Sequence, residues 1–478
     1  MTDQPTYQPL WQRSMRELAA AIRSREVYAR DVIDAHLDRI DEVNPTLNAL
    51  TVVFADRARA LADDVDAAFA AGRDPGVLAG VPFTVKENID LSWSATTSGW
   101  SFLANAVPSG DATMVERLLA AGAIPIGRGN MPDFGLRWDT DNDLFGRTIN
   151  PWDAERVPGG SSGGDAVAVA TGMTPLGLGN DYGGSLRLPA YAAGVCALRP
   201  TANRIPAPVV SSAEPVSLTL QHFAVNGPIA RTVDDLDTAF SLMQGGDGRD
   251  PLALSLPHPS TYDGVRRVAV VRDPVGWGVD PQVADAVARA ADALAGRGWE
   301  VVDAEPPLLE EAAQLWRQLS TAEMVGAFLP GGLPEPLSDG STSYFLDNAS
   351  EVAPFASIEE YAMAWGRRVA IAAAWHAFQA QHPIILGPVS GRRMPRIGFD
   401  LEGPAATTEL FRAHALLVAV NFLGLPSVAV PTGLDEDGLP TGVQLIGPRA
   451  GDHVALAAAR DVEAVLGHVR PEVRVAVS

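Results

Sequence analysis

VPGGSSGGDAVAVATGMTPLGLGNDYGGSLRLPA, residues 157–190, places two glycine-flanked serine sites, Ser161–Ser162 and Ser185, in a run whose only charges are Asp165, Asp181 and Arg187. Glycine has no Cβ, so this density of it implies that backbone approaches backbone inside the protein. Three readings compete for the segment. A phosphate-cradling loop suits the glycines, but GGSSGG is not followed by the Lys-Ser/Thr pair such a loop uses. A nucleophile elbow is satisfied by Gly160, Ser162 and Gly164 as G-x-S-x-G, yet that turn needs a buried strand before it, and the lead-in NPWDAERVPG (150–159) is polar and proline-bounded. The third reading couples both serine sites to a base elsewhere in the chain.

The composition supplies a candidate for that base. Among 36 basic residues Lys86 is the single lysine. A bias towards arginine explains most of this pattern. Under such a bias a position that needs only a cation can be arginine, whereas a group that must release its proton cannot, because guanidinium stays charged. A serine hydroxyl is a poor nucleophile at neutral pH, and a desolvated, uncharged lysine can activate it.

Outward from these segments the pattern is α/β. GVPFTVKEN (80–88) reads as a short strand ending at Lys86, followed by a helix from an Asp111 cap to Leu119, a stop at Gly122 and a second strand from Ala123 to Gly127. The same order recurs with Arg267–Val271, Pro281–Leu294 and Trp299–Val302, so two parallel βαβ units are predicted. The apolar spacing predicts a helix over Arg25–Val43 stopped by Asn44-Pro45, and composition predicts a loop over Leu329–Ser343. The apolar stretch Ala413–Val430 is interrupted by His414, Asn421 and Pro426, which suits a buried helix-to-strand passage rather than a membrane span.

A net charge of −22 argues against nucleic-acid binding, and 47% hydrophobic with 20% charged residues is ordinary globular composition. The N-terminal residues lack the pattern of a signal peptide, so a cytoplasmic location is the expectation. The one cysteine, Cys196, sits in apolar GVCAL and reads as core; with one cysteine neither an intrachain disulfide nor a cysteine metal cluster can form. None of the eight histidines lies in a recognisable motif.

GVPFTVKEN around Lys86, PGGSSGG around Ser161 and GNDYGGSLRLPA around Ser185 together resemble the motifs of the amidase-signature family, in that family's order. The resemblance continues through DATMVERLLAAGAIPIGRGNMPDF (111–134), LFGRTINPWD (144–153), GPIARTVDDLD (227–237) and GLPSVAVPTGLDEDGLPTGVQLIGP (424–448). It implies a single domain over residues 1–478 with a mixed, mostly parallel sheet of about eleven strands wrapped by helices, and a variable, substrate-shaping region at about 240–410. It further implies amide hydrolysis in which Ser185 attacks, Ser161 on a cis peptide relays the proton and Lys86 is the ultimate base. Backbone N–H groups of Tyr182, Gly183, Gly184 and Ser185 would form the oxyanion hole; such donors are worth about 3 kcal/mol each. Ser162 is expected to support the site by bonding Lys86 or the backbone, and Asp181 and Arg187 to form a structural ion pair.

The chain departs from the family pattern at Asn180, where threonine is common, at Arg128, where lysine is frequent, and at Arg137-Trp138, where small residues are frequent. Trp138 is therefore a candidate substrate-pocket residue, with a core indole as the alternative. No metal or organic cofactor is implied, and the expected partner is a small-molecule amide, ester or carbamate, with no nucleic acid and no membrane; a homodimer is left open. The alternative reading is the amidase subunit of a tRNA-dependent amidotransferase. Replacing Lys86 by arginine is expected to abolish amide turnover without unfolding the chain, and near-normal turnover of a folded Lys86→Arg protein would sink the lysine-base reading.

Overall fold

Pro82–Lys86 forms a strand buried at every position, as a strand covered by helices on both faces must be. The structure is a computed structural model that describes residues 8–207, 216–328 and 336–473. Numbered in chain order, its strands are β1 (Leu50–Val53), β2 (Pro82–Lys86), β3 (Ile124–Gly129), β4 (Leu176–Asp181), β5 (Cys196–Arg199), β6 (Val225–Ala230), β7 (Arg267–Val270), β8 (Glu300–Asp303), β9 (Ile384–Pro388), β10 (Ser427–Leu434) and β11 (Pro440–Ile446). They form one sheet in the order β1-β3-β2-β4-β6-β5-β10-β11-β9-β7-β8, surrounded by helices in a single α/β domain.

Both predicted βαβ units are present. Helix Thr113–Ala120 carries the chain from β2 to its parallel neighbour β3, and helix Pro281–Gly296 does the same from β7 to β8. The sheet is mixed, but parallel pairing is confined to the blocks β3-β2-β4 and β9-β7-β8, so it is the minority mode rather than the dominant one. The reason lies between the blocks. β10 and β11 are joined by only five residues, which permits a hairpin and not a crossover, and this hairpin with β5 and β6 bridges the blocks through antiparallel pairs.

Three local expectations change. The early helix runs over Ala29–Leu47, past Pro45. In the last turn proline forfeits only one backbone donor. The helix ends instead where Asn48 adopts the left-handed region at φ 48, while Asn44 Oδ1 accepts the N–H groups of Ala49 and Leu50, each at 2.9 Å. Asp111 does not cap the next helix: its Oδ1 accepts Ser92 N–H at 2.6 Å, and Ala112 occupies the cap position. Residues 329–335 of the expected loop lie outside the described residues, and its end is helical, since Asp339–Ser350 is a helix capped by the Ser338 hydroxyl. The stretch 413–430 is the buried passage expected, from helix Ala415–Leu423 into β10. No helix among the described residues is long and apolar enough to cross a membrane.

The sheet order is what assembles the site. β2 and β4 are parallel neighbours, with Val85 beside Leu178, so Lys86 at the end of β2 and Asn180–Asp181 at the end of β4 emerge on one edge of the sheet. Carboxyl ends of parallel strands are where open α/β sheets bind ligands. Helix Gly163–Thr171 begins at the same edge, pressed against the end of β3: Gly164 N–H donates to Asn130 C=O at 3.1 Å, and a Cβ on Gly164 would stand 2.1 Å from Asn130 N. Backbone cannot yield as a flexible side chain does. Gly164→Ala is therefore expected to lower stability by about 3 kcal/mol, read as a shift of the urea midpoint at unchanged slope.

Candidate active site

Lys86 is fully buried where β2 ends. Its Nζ lies 2.8 Å from Ser161 Oγ and 2.7 Å from Asn180 Oδ1. Burial pushes the ammonium down to about 7, against the opposing pull of Asp165 and then Asp181. Burial thus favours the uncharged amine, with a hydroxyl already in hydrogen-bond reach.

Ser161 follows a cis peptide bond from Gly160 and sits one residue before the cap of helix Gly163–Thr171. The surroundings leave little room: a Cβ on Gly160 would stand 2.6 Å from Arg137 C=O, and one on Gly135 would stand 2.9 Å from Ser161 Oγ. One turn further along the helix, Asp165 accepts the Thr84 hydroxyl at 2.7 Å. Thr84 and Lys86 are two apart on β2 and so share a face, which makes the Ser161–Lys86 and Asp165–Thr84 contacts two rungs between one strand and the segment that leads into and begins the helix. Burial raises the Asp165 carboxyl far above the usual carboxylate range.

Ser185 begins the turn after β4, is 6% exposed, and lines the same cavity as Ser161. Its carbonyl accepts the Ser162 N–H at 3.2 Å, tying the two serine segments together, although no hydrogen bond joins the Ser161 and Ser185 hydroxyls. The loop before it is anchored by Asp181. Asp181 Oδ1 accepts Gly184 N–H at 2.8 Å, Oδ2 accepts Leu186 N–H at 3.2 Å, and the carboxylate pairs with Arg187 at 3.0 Å and accepts Asn421 Nδ2 at 2.7 Å. Burial works to raise this carboxyl, but the guanidinium groups of Arg187 and Arg199 outweigh it and hold it well below the usual range. The Asp181–Arg187 ion pair is thus where the sequence placed it, fully buried.

Two expectations are narrowed by these contacts. Gly184 N–H, expected as an oxyanion donor, is committed to Asp181, whereas the N–H groups of Tyr182, Gly183 and Ser185 make no hydrogen bond among the described residues. Ser162 bonds the backbone and not Lys86: its hydroxyl lies 3.4 Å from Asn180 C=O. Trp138 is half-buried beside Ser185, and its indole N–H donates to Gly183 C=O at 2.9 Å. Sequence reasoning did not assign Asn180, Asn88 or Trp316 to the site. Asn180 takes Lys86 on its oxygen and donates its Nδ2 to Asn88 Oδ1 at 2.7 Å. The signal for it was present, since asparagine stands where the family pattern has threonine.

The cavity holding Ser161 and Ser185 has a volume of about 630 Å3; Phe134, Ile205, Leu220, Val225, Leu252 and Met324 give it apolar wall, and Asn226, Gln221, Arg249 and Asp250 add polar wall. A space of about 60 Å3, also lined by Ser185, lies among Trp138, Trp316 and Tyr344. A groove of similar size to the large cavity, about 660 Å3, runs between residues 14–23 and 232–238, but Arg16 and Asp234 pair within it at 2.6 Å and it holds no activated nucleophile. Among the described residues no three His, Cys, Asp or Glu side chains are grouped to hold a metal ion. Cys196 is buried in β5, where desolvation pushes its thiol up, in keeping with a core role.

The Amidase family model matches residues 31–456. The chain is 36% identical to an indoleacetamide hydrolase of Bradyrhizobium diazoefficiens over 96% of this chain and 88% of that protein. It is 34% identical to one subunit of the glutamyl-tRNA(Gln) amidotransferase of a Synechococcus strain, over 91% of this chain and 93% of that one. Among solved structures, a bacterial aryl acylamidase of the amidase-signature enzymes superposes with a TM-score of 0.83 at 26% identity, covering 96% of this chain and 97% of that chain. With a family match over most of its length and a fold shared from end to end, this chain belongs to the amidase-signature family.

Proposed function

We propose that this amidase cleaves carboxylic amides through an acyl-Ser185 intermediate, with Lys86 as the base acting through Ser161. The observation that carries the reading is the fully buried amine 2.8 Å from a hydroxyl on the wall of the cavity that also contains Ser185. Lys86 takes the Ser161 proton as Ser161 takes that of Ser185; Ser185 Oγ bonds to the carbonyl carbon, and negative charge moves to the carbonyl oxygen. As the C–N bond breaks, the proton returns along the same path to the leaving nitrogen. Water then adds to the acyl carbon, gives its proton to the relay, and releases the acid with Ser185 restored. Of the expected donors, the N–H groups of Tyr182, Gly183 and Ser185 carry no hydrogen bond among the described residues and are free to receive the oxyanion.

The acyl side of the substrate is an aromatic or other bulky apolar group, and the leaving group is small. The size and the apolar part of the wall of the larger cavity support this, as does the small volume of the second space beside Ser185. The similarity to an indoleacetamide hydrolase points the same way. Leu252 and Met324 bring the region 240–410 into the larger cavity, in keeping with a substrate-shaping role for it.

The base must be the free amine, so kcat/KM is expected to rise with pH through about 7 and to level off above it, where a solvent-exposed lysine would titrate near 10.4. A limb near the exposed-lysine value would remove Lys86 as the base. Assayed alone, without tRNA or ATP, the protein is expected to hydrolyse arylacetamides at least about tenfold faster, in kcat/KM, than acetamide, a discrimination of about 1.4 kcal/mol. Turnover that appears only with tRNA and ATP would favour an amidotransferase component instead.

A further inference from the structure

The loop from Tyr182 to Ser185 contains two adjacent glycines, and nothing intrinsic to Gly183 or Gly184 fixes the direction in which its peptides point. In a trans peptide the C=O and the following N–H point opposite ways, so holding a carbonyl also aims the next donor. Here three successive carbonyls are held. Tyr182 C=O accepts the indole N–H of Trp316 at 3.1 Å, which aims Gly183 N–H away from that ring. Gly183 C=O accepts the indole N–H of Trp138 at 2.9 Å, and the other end of the same peptide, Gly184 N–H, donates to Asp181. Gly184 C=O accepts Leu188 N–H at 2.8 Å, which aims Ser185 N–H. The N–H groups of Gly183 and Ser185, together with that of Tyr182, are left without a partner among the described residues, in the loop that ends on the Ser185 hydroxyl.

Packing shows that the indoles are built into this loop rather than merely near it. A Cβ on Gly183 would stand 2.6 Å from Trp316 Cζ2, so the glycine is required by the ring lying against it. Trp316 also meets the Tyr182 ring at 5.7 Å between centroids, and Trp138 is held edge-on to His414 at 4.3 Å. Trp138 and Trp316 come from distant parts of the chain and converge on consecutive carbonyls.

We propose that Trp138 and Trp316 are positioning residues for the oxyanion site, their indole N–H groups locking peptides 183–184 and 182–183 so that Gly183 and Ser185 N–H stay aimed at the developing oxyanion. This rests on Ser185 being the nucleophile. A locked loop spends no free energy on reorientation at the moment of reaction, which is where oxyanion stabilisation draws its strength.

The test uses Trp138→Phe and Trp316→Phe, which keep an aromatic ring and remove the N–H, with Trp375→Phe as the control because that buried indole N–H has no partner among the described residues. With phenylacetamide as substrate each variant is expected to lose about tenfold in kcat with KM within about twofold, the signature of an interaction made in the transition state. Affinity for benzyl trifluoromethyl ketone, whose Ser185 adduct carries an oxyanion, is expected to fall by the same factor, while affinity for phenylacetate stays within about twofold. If either phenylalanine variant folds poorly, benzothienylalanine at that position keeps the indole's shape without its N–H and gives the same readings. Values of kcat within about twofold of Trp375→Phe overturn the proposal, as does an equal loss of ketone and phenylacetate affinity, which marks a purely structural role. Ser185→Ala separates the two levels: if it retains turnover the nucleophile assignment fails and this proposal with it, whereas an inactive Ser185→Ala beside unimpaired indole variants overturns the proposal alone.

Discussion

The site depends on removing one amine from water. Lys86 sits where desolvation disfavours its charge, and its two hydrogen-bond partners, Ser161 Oγ and Asn180 Oδ1, do not supply a compensating negative charge. Asp165, the carboxyl that pulls hardest against that desolvation, is itself pushed towards its neutral form by burial and spends one oxygen on Thr84. The raised Asp165 carboxyl weakens the pull that would otherwise favour the ammonium of Lys86. The balance between desolvation and these two charges therefore decides whether the chain has a base at neutral pH.

Around that amine the protein uses charge in the opposite way. Asp181 is as deeply buried as Asp165 but stays ionised, because Arg187 and Arg199 surround it and Asn421 with two backbone N–H groups satisfy its oxygens. An ion pair this deep is weak evidence for stability, since desolvation offsets much of its attraction. What it supplies here is geometry: the carboxylate fastens the loop from both ends of the 184–186 turn while the indoles of Trp138 and Trp316 fasten it from the carbonyl side. Two buried carboxylates a few residues from the same cavity thus do different work, set by their neighbours rather than by depth.

The substrate side follows a different logic. The proposed reaction groups lie on the sheet edge and the glycine loops, whereas the larger cavity draws its walls from scattered turns and helices, among them Phe134, Leu220, Leu252 and Met324. Such walls can change without disturbing the β2–β4 edge that holds Lys86 and the 182–185 loop. The family's shared fold with different named substrates among its relatives is consistent with that division.

Much of this was legible in the residues. A solitary lysine in an arginine-rich chain, at the end of an apolar strand, and two serine sites in charge-poor glycine runs sufficed to name the candidate reacting groups and the two βαβ units, because local spacing and side-chain chemistry carry that information. Local signals were less dependable at element ends: Pro45 did not stop its helix, which Asn44 and Asn48 end a few residues on, and Asp111 did not cap the next one, because it accepts Ser92 N–H instead. Contacts between distant segments were beyond the sequence. Nothing in the spacing tells that Asn180 would meet Lys86, that Asp181 would consume Gly184 N–H, that Trp316 would reach Tyr182 C=O, or that hairpin β10–β11 would make the sheet mostly antiparallel. The sequence by itself determined which groups could react, because reactivity belongs to residue types; the tertiary structure alone decided the charge and the aim of each, because desolvation and hydrogen-bond direction exist only once the chain has closed around them.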